Sequence, residues 1–176
     1  DLKGFSNDFY KKNCTGALDA VLETLEYIHQ ETDVWLEVTT LLIPDANDST
    51  QELISQCEWF VDHLGPDVPL HFTAFHPDFR MRDRGRTPYG TLQRARDIAK
   101  ASGIRHVYTG NVRDLDGQST WCHGCGDRLV GREGYILSDW SLDASGSCRR
   151  CGTQCPGVYD PIPGTWGARR QAIQVD

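Results

Sequence analysis

Two near-identical turns constrain this chain more than any other stretch. One reads Cys122-His123-Gly124-Cys125-Gly126 and the other Cys148-Arg149-Arg150-Cys151-Gly152. In each, two thiols stand three positions apart on a tight turn, so both can face one cation. The Gly that follows permits the left-handed backbone such a turn needs. Two turns supply four sulfurs, the donor set of a tetrahedral structural metal site. Cys122, Cys125, Cys148 and Cys151 are therefore expected to hold zinc in a zinc ribbon. Iron in a rubredoxin-like site accepts the same geometry. Two unrelated cysteine pairs, or a disulfide, are the bland alternative. Four protein ligands leave no open position, so this site is expected to hold structure and not to perform chemistry.

Three further thiols, Cys14, Cys57 and Cys155, complete the seven cysteines. Metal-binding pairs with spare thiols fit a reducing cytoplasm better than a secreted disulfide scaffold, so a cytoplasmic location is expected. The chain carries 18 basic and 25 acidic side chains, a net charge of -7. That balance argues against a broad nucleic-acid surface. No apolar run approaches the roughly 20 residues that cross a bilayer, and no signal peptide is visible. The chain opens on Asp1-Leu2-Lys3-Gly4-Phe5 without a Met or a lead-in, as if cut from a longer protein.

Upstream of the cysteine turns, strand and helix patterns alternate. Residues 1–5 read as the tail of a strand. Ala17, Leu18, Val21, Leu22, Leu25 and Ile28 fall at helical spacing. Residues 33–43 read as a strand dense in β-branched and apolar side chains, ended by Pro44. Ser49 or Thr50 with Glu52 resembles a capped helix start, and that helix stops at Gly65-Pro66. Residues 69–75 form the next strand, ending at His76-Pro77. A third helix opens with Pro88 at its first position and runs to Ser102-Gly103. Residues 104–109 form the final strand. This alternation with short connections predicts an α/β fold with a parallel sheet and right-handed crossovers. It fits half of an eight-unit barrel or most of a doubly wound sheet. No glycine-rich phosphate loop follows any strand, which weakens the nucleotide-fold reading. From Asp114 the composition shifts to Gly, Asp, Ser and Arg. The expected parts are the sheet over 1–113, the ribbon over 114–159, with short strands at 132–136 and 138–142, and a loosely ordered tail over 160–176.

In parallel sheets, function gathers where strands deliver their C-terminal ends. Those ends carry Asp1 and Lys3, then Thr39, Thr40 and Pro44 with Asn47-Asp48, then His76 and Asp78, then Asn111. Asp1 and Lys3 stand two apart on one strand and face the same way. They can pair with each other, or grip a ligand that has both ammonium and carboxylate groups. His76 is either a satisfied rim histidine or a hydrogen-bonding partner for a ligand. Glu37 needs a partner if buried, or faces a polar barrel interior. The loop with Arg80, Arg82, Arg84 and Arg86 is either merely solvated or meets an anionic substrate or partner. His123 is expected to be exposed and not a fifth ligand.

Taken in order, these stretches resemble one family. They are the Asp1-Leu2-Lys3-Gly4-Phe5 strand end, Glu37-Val38-Thr39-Thr40-Leu41-Leu42-Ile43-Pro44 with Asn47-Asp48, Phe72-Thr73-Ala74-Phe75-His76-Pro77-Asp78, Tyr108-Thr109-Gly110-Asn111-Val112, and the terminal ribbon. Together they resemble the C-terminal half of radical-SAM proteins of the AmmeMemoRadiSam system, relatives of the pyruvate formate-lyase activating enzyme. The resemblance runs to about Tyr159. It implies an open (β/α)6 barrel that binds S-adenosylmethionine and a 4Fe-4S cluster. In that family the reduced cluster cleaves the sulfonium and yields a 5′-deoxyadenosyl radical, which abstracts a hydrogen atom. The resemblance places Asp1 and Lys3 against S-adenosylmethionine, Leu41 to Ile43 on its adenine side, and His76 beside it. Thr39 stands where activases often carry an Arg. The expected partners are S-adenosylmethionine and, as one option, a protein substrate, while the residues themselves do not identify the substrate.

The departure is large. The family's Cys-x3-Cys-x2-Cys cluster run is absent, and Cys148, Cys151 and Cys155 carry its spacings in reverse order. The parent protein is expected to be the enzyme, and this chain to be inactive alone. The alternative is a non-enzymatic zinc-ribbon module that contacts protein or nucleic acid. A hydrolase or isomerase of another type finds no nucleophile elbow or triad spacing here.

Overall fold

The first residues already belong to the core. In the computed structural model, which describes residues 1–160 and 162–164, Leu2 is fully buried. Then come α1 (Asn7–Phe9), a π-helical turn over Tyr10–Cys14 and α2 (Leu18–Glu31). Three parallel strands follow, β1 (Val38–Leu42), β2 (Leu70–Ala74) and β3 (Val107–Gly110), side by side in that order. α3 (Thr50–Leu64) links β1 to β2, and α4 (Tyr89–Ala101) links β2 to β3. Val38 pairs with Leu70 and Leu70 with Val107, so the strands start level.

Burial alternates along each strand with period two, as a pleated sheet requires. Val38, Thr40 and Leu42 of β1, Leu70, Phe72 and Ala74 of β2, and Val107 and Thr109 of β3 are buried. They share a core with Leu53, Phe60 and Leu64 of α3 and with Leu92, Ala95 and Ala99 of α4. The opposite face, with Thr39, Leu41, His71, Thr73 and Tyr108, is half-buried.

The expected strand over 33–43 is realised only from Val38. Val34 is 66% exposed, and the ladder begins where the Val38 N–H donates to the Pro69 carbonyl at 2.9 Å. Pro69 has no N–H to carry the pairing further back. Residues 1–5 are not a regular strand. Leu2 donates its N–H to the Thr39 carbonyl at 3.0 Å, and the Thr40 hydroxyl donates to the Leu2 carbonyl at 2.8 Å. α3 is capped by Ser49, whose Oγ accepts the Glu52 N–H at 3.2 Å. Pro88 is extended, with ψ 145°, and so occupies the position before α4, not its first turn.

Residues 1–112 and the described residues from Arg113 form two compact units. In the second, α5 (Leu115–Gln118) is capped by Asp114 and leads into β4 (Thr120–Trp121), β5 (Arg128–Glu133) and β6 (Ile136–Trp140). These three strands form an antiparallel sheet in the order β4-β5-β6. The hairpin turns at Gly134-Tyr135, where Gly134 takes φ 59°. The sequence placed this turn near Leu137, because apolar alternation alone does not mark the positive φ that only Gly adopts freely. Leu129, Val130 and Leu142 make a small core with Cys122, Cys148 and Cys155. Most of the expected 160–176 tail falls outside the described residues. Among the described residues no helix is long and apolar enough to cross a membrane.

Candidate metal centre and strand-exit rim

The two cysteine turns have the same backbone wiring. Gly126 N–H donates to Cys122 O at 2.9 Å, and Gly152 N–H donates to Cys148 O at 2.8 Å. Cys122 N–H reaches Asp127 O at 2.8 Å, and Cys148 N–H reaches Thr153 O at 2.9 Å. Gly126 and Gly152 take φ 77° and 74°, which a side chain would strain. Each turn thus becomes a hook with two sulfurs on one side. Gly124 lies where a Cβ would meet Thr153 Oγ1 at 2.3 Å, so the hooks approach too closely for any side chain there.

All four sulfurs lie within 4.8 Å of one another. Cys122 Sγ is 3.6 Å from Cys151 Sγ, and Cys125 Sγ is 3.7 Å from Cys148 Sγ. A tetrahedron with metal–sulfur bonds of about 2.3 Å has edges of about 3.8 Å. The donor set therefore fits one metal ion. None of the four is in a disulfide. Cys122 and Cys148 are buried, Cys125 is half-buried and Cys151 is exposed. The Thr153 hydroxyl, 3.2 Å from Cys151 Sγ, and the Thr153 amide hold the Cys151 thiol down to about 6. The Asp127 amide pulls Cys125 down, but burial and the three neighbouring sulfurs prevail and push it up to about 12. Four thiolates repel one another unless a cation sits among them. Arg150 of the second hook forms an ion pair with Asp127 of the first. His123 is exposed and outside the cluster, and Cys155 is buried with its sulfur 3.0 Å from Tyr159 Oη.

At the sheet, short polar side chains tie each strand exit to the next. Asn47 donates to Lys3 O at 2.6 Å and to Leu41 O at 2.9 Å, and accepts the Ile43 N–H at 2.7 Å. Thr87 Oγ1 donates to Leu42 O at 2.5 Å and accepts the Phe75 N–H at 2.8 Å. Asn111, at φ 59°, donates to Ala74 O at 3.1 Å. Asn47 and Thr87 are almost fully buried.

The residues expected to meet a cofactor are distributed along this rim. Asp1 and Lys3 pair with each other at 2.9 Å, both exposed. The Lys3 backbone is held by Asn47 and by the Tyr10 hydroxyl, 3.0 Å from Lys3 N. Thr39 and Leu41 are half-buried on the face of β1 opposite the helices, and Ile43 is buried just past its end. His76 is exposed two residues past β2. Glu37 lies just before β1, accepting from Trp35 Nε1 at 3.0 Å and facing His71 Nε2 at 2.8 Å. His71 stacks on Tyr108. Sequence reading missed His71 and Tyr108, because their meeting depends on strand register and not on local pattern.

No family model matches the chain. Uncharacterized protein MJ0808 of Methanocaldococcus jannaschii is similar to it, with 39% identity over 151 residues. The match takes in 86% of this chain but 44% of that relative, so the chain spans less than half of the relative's length.

Proposed function

We propose that this chain is the C-terminal half of a radical S-adenosylmethionine enzyme, activase-like, ending in a zinc ribbon. The observation that carries this reading is the placement of Asp1 and Lys3 on the segment hydrogen-bonded to β1, of Ile43 just past β1 and of His76 just past β2. Two features support it. The sheet face away from the helices is only half-buried, whereas parallel sheets are normally covered on both faces. The relative is more than twice as long as the matched region. In this reading the sheet is part of an open barrel and the missing half closes over that face. Asp1 and Lys3 grip the amino-acid end of the cofactor, Leu41 and Ile43 line its adenine side, His76 approaches it, and Thr39 offers a hydroxyl beside them. The iron–sulfur ligands belong to the rest of the longer protein. With the reduced cluster bound there, the cofactor supplies a 5′-deoxyadenosyl radical for hydrogen abstraction. The substrate of the activase reading is a protein. The four-cysteine group is assigned to zinc, which four thiolates suit and which leaves no open position for chemistry.

The test is anaerobic reconstitution of the full-length protein with iron and sulfide, followed by reduction with S-adenosylmethionine present. Cluster absorption and formation of 5′-deoxyadenosine and methionine are expected. Lys3→Ala and His76→Ala should weaken cofactor binding by about tenfold or more. An intact reconstituted protein that takes up no cluster sinks the reading. A second reading rests on the hairpin turn of the ribbon, where Tyr135 is 81% and Ile136 51% exposed. Neighbouring exposed apolar side chains suit a protein contact. In that reading the chain is a non-enzymatic module, and Tyr135→Ser with Ile136→Ser abolishes partner binding.

A further inference from the structure

The loop between β2 and α4 sends two arginines to the exits of the strands on either side. Arg84 donates to Pro44 O at 2.6 Å, beyond β1, and Arg86 donates to Asn111 O at 2.7 Å, beyond β3. From α4, Arg94 donates to Asp48 O at 2.7 Å, in the loop that follows β1. Arg80 and Arg82 of the same loop behave differently. Arg80 lies over the Phe79 ring at 5.1 Å, and Arg82 lies 3.8 Å from Asp78. Among the described residues no carboxylate forms an ion pair with Arg84, Arg86 or Arg94. In a chain with net charge -7, three guanidiniums on one rim with no ion pair among the described residues are unexpected.

Each of these carbonyl bonds takes one of five guanidinium donors and fixes where the remainder stand. A planar fork of donors matches the oxygens of a carboxylate or a phosphate. α4 adds to the same charge. It has no side chain capping its start and no acid in its first turn. α1, α3 and α5 have both, and α2 has Asp19. An open helix start favours negative charge nearby. A Cβ at Gly90, in that first turn, would meet nothing within 4 Å.

We propose that Arg84, Arg86 and Arg94 bind an oxyanion group, phosphate or carboxylate, of a small-molecule ligand at the strand-exit rim. The site needs neither an iron–sulfur cluster nor S-adenosylmethionine, so it stands or falls separately from the enzyme reading. The test is a nuclear magnetic resonance titration of the arginine Nε–H signals of this chain. Sodium phosphate and sodium citrate are the two probes, with sodium chloride at matched ionic strength as the control. Saturable shifts of Arg84, Arg86 and Arg94 are expected with at least one probe, and the stronger probe identifies the anion class. Arg84→Gln with Arg86→Gln should weaken the apparent affinity by about tenfold or more, while Arg80→Gln with Arg82→Gln leaves it unchanged. Arg86→Gln alone, at an exposed position, repeats the measurement if the double variant fails to fold. Shifts that follow ionic strength alone, or an equal loss in the Arg80 and Arg82 variant, overturn the proposal.

Discussion

Glu52 serves two segments that are far apart in sequence. Its N–H is taken by Ser49 at the start of α3, and its carboxylate accepts the Phe5 N–H at 2.7 Å. Burial raises the pKa of that carboxyl, the Phe5 N–H lowers it and Asp48 raises it, with a net rise. A carboxyl whose folded pKa is raised favours the fold most when protonated. That contribution is complete below the unfolded value near 4.3 and is lost as pH rises through the folded value. Glu52→Gln keeps a carbonyl acceptor for Phe5 and removes the charge. The variant should be more stable than the parent at pH 7, and the gap should close below about pH 4, measured as paired urea midpoints at the two pH values. The cap itself is legible in the sequence, because Ser49 and Glu52 stand at a spacing that local geometry imposes. The reach to Phe5 is not, because a contact across 47 positions leaves no local trace.

At the scale of elements, the strand exits are held by Asn47, Thr87 and Asn111 rather than by extra ladder bonds. Thr87 joins the ends of β1 and β2 through Leu42 O and Phe75 N, both bonds buried. Thr87→Val keeps the shape and removes both bonds, leaving buried polar groups unpaired. A loss of about 1–3 kcal/mol in denaturant unfolding is expected. The helices α2, α3 and α4 were legible from their 3.6-residue period and the cores of β1, β2 and β3 from their β-branched runs, whereas the short α1 and α5 were too brief to show a period. The outer limits of β1 and of the ribbon hairpin were not, because Pro69 on a neighbouring strand sets one and the backbone of Gly134 sets the other. The π-helical turn over Tyr10–Cys14 also escaped, since nothing in its polar run marks it.

For the molecule as a whole, the two units have separate cores that differ in what sustains them. The first draws on more than twenty buried apolar side chains spread over the sheet and its helices. The second has Leu129, Val130 and Leu142, with cysteines supplying the remainder. At about 1.5–3 kcal/mol each, three such side chains contribute less than the roughly 10–16 kcal/mol of a four-thiolate zinc site. With zinc in the four-thiolate site, as proposed, chelation or Cys148→Ser should therefore unfold the second unit and leave the first folded. Amide hydrogen exchange resolved by residue is the measurement. Loss of protection confined to residues from Arg113 onward is the expected result, and loss across the sheet contradicts it. The four cysteines were legible because Cys-x-x-Cys-Gly spacing dictates the hook.

The inequality between the hooks has a kinetic side. Cys122 and Cys148 are shut in, while Cys151 is exposed. A competing thiol or chelator arriving from solvent meets Cys151 first. An ion held here would exchange through that one sulfur, by opening of the second hook, so its residence time reports a local opening of one turn.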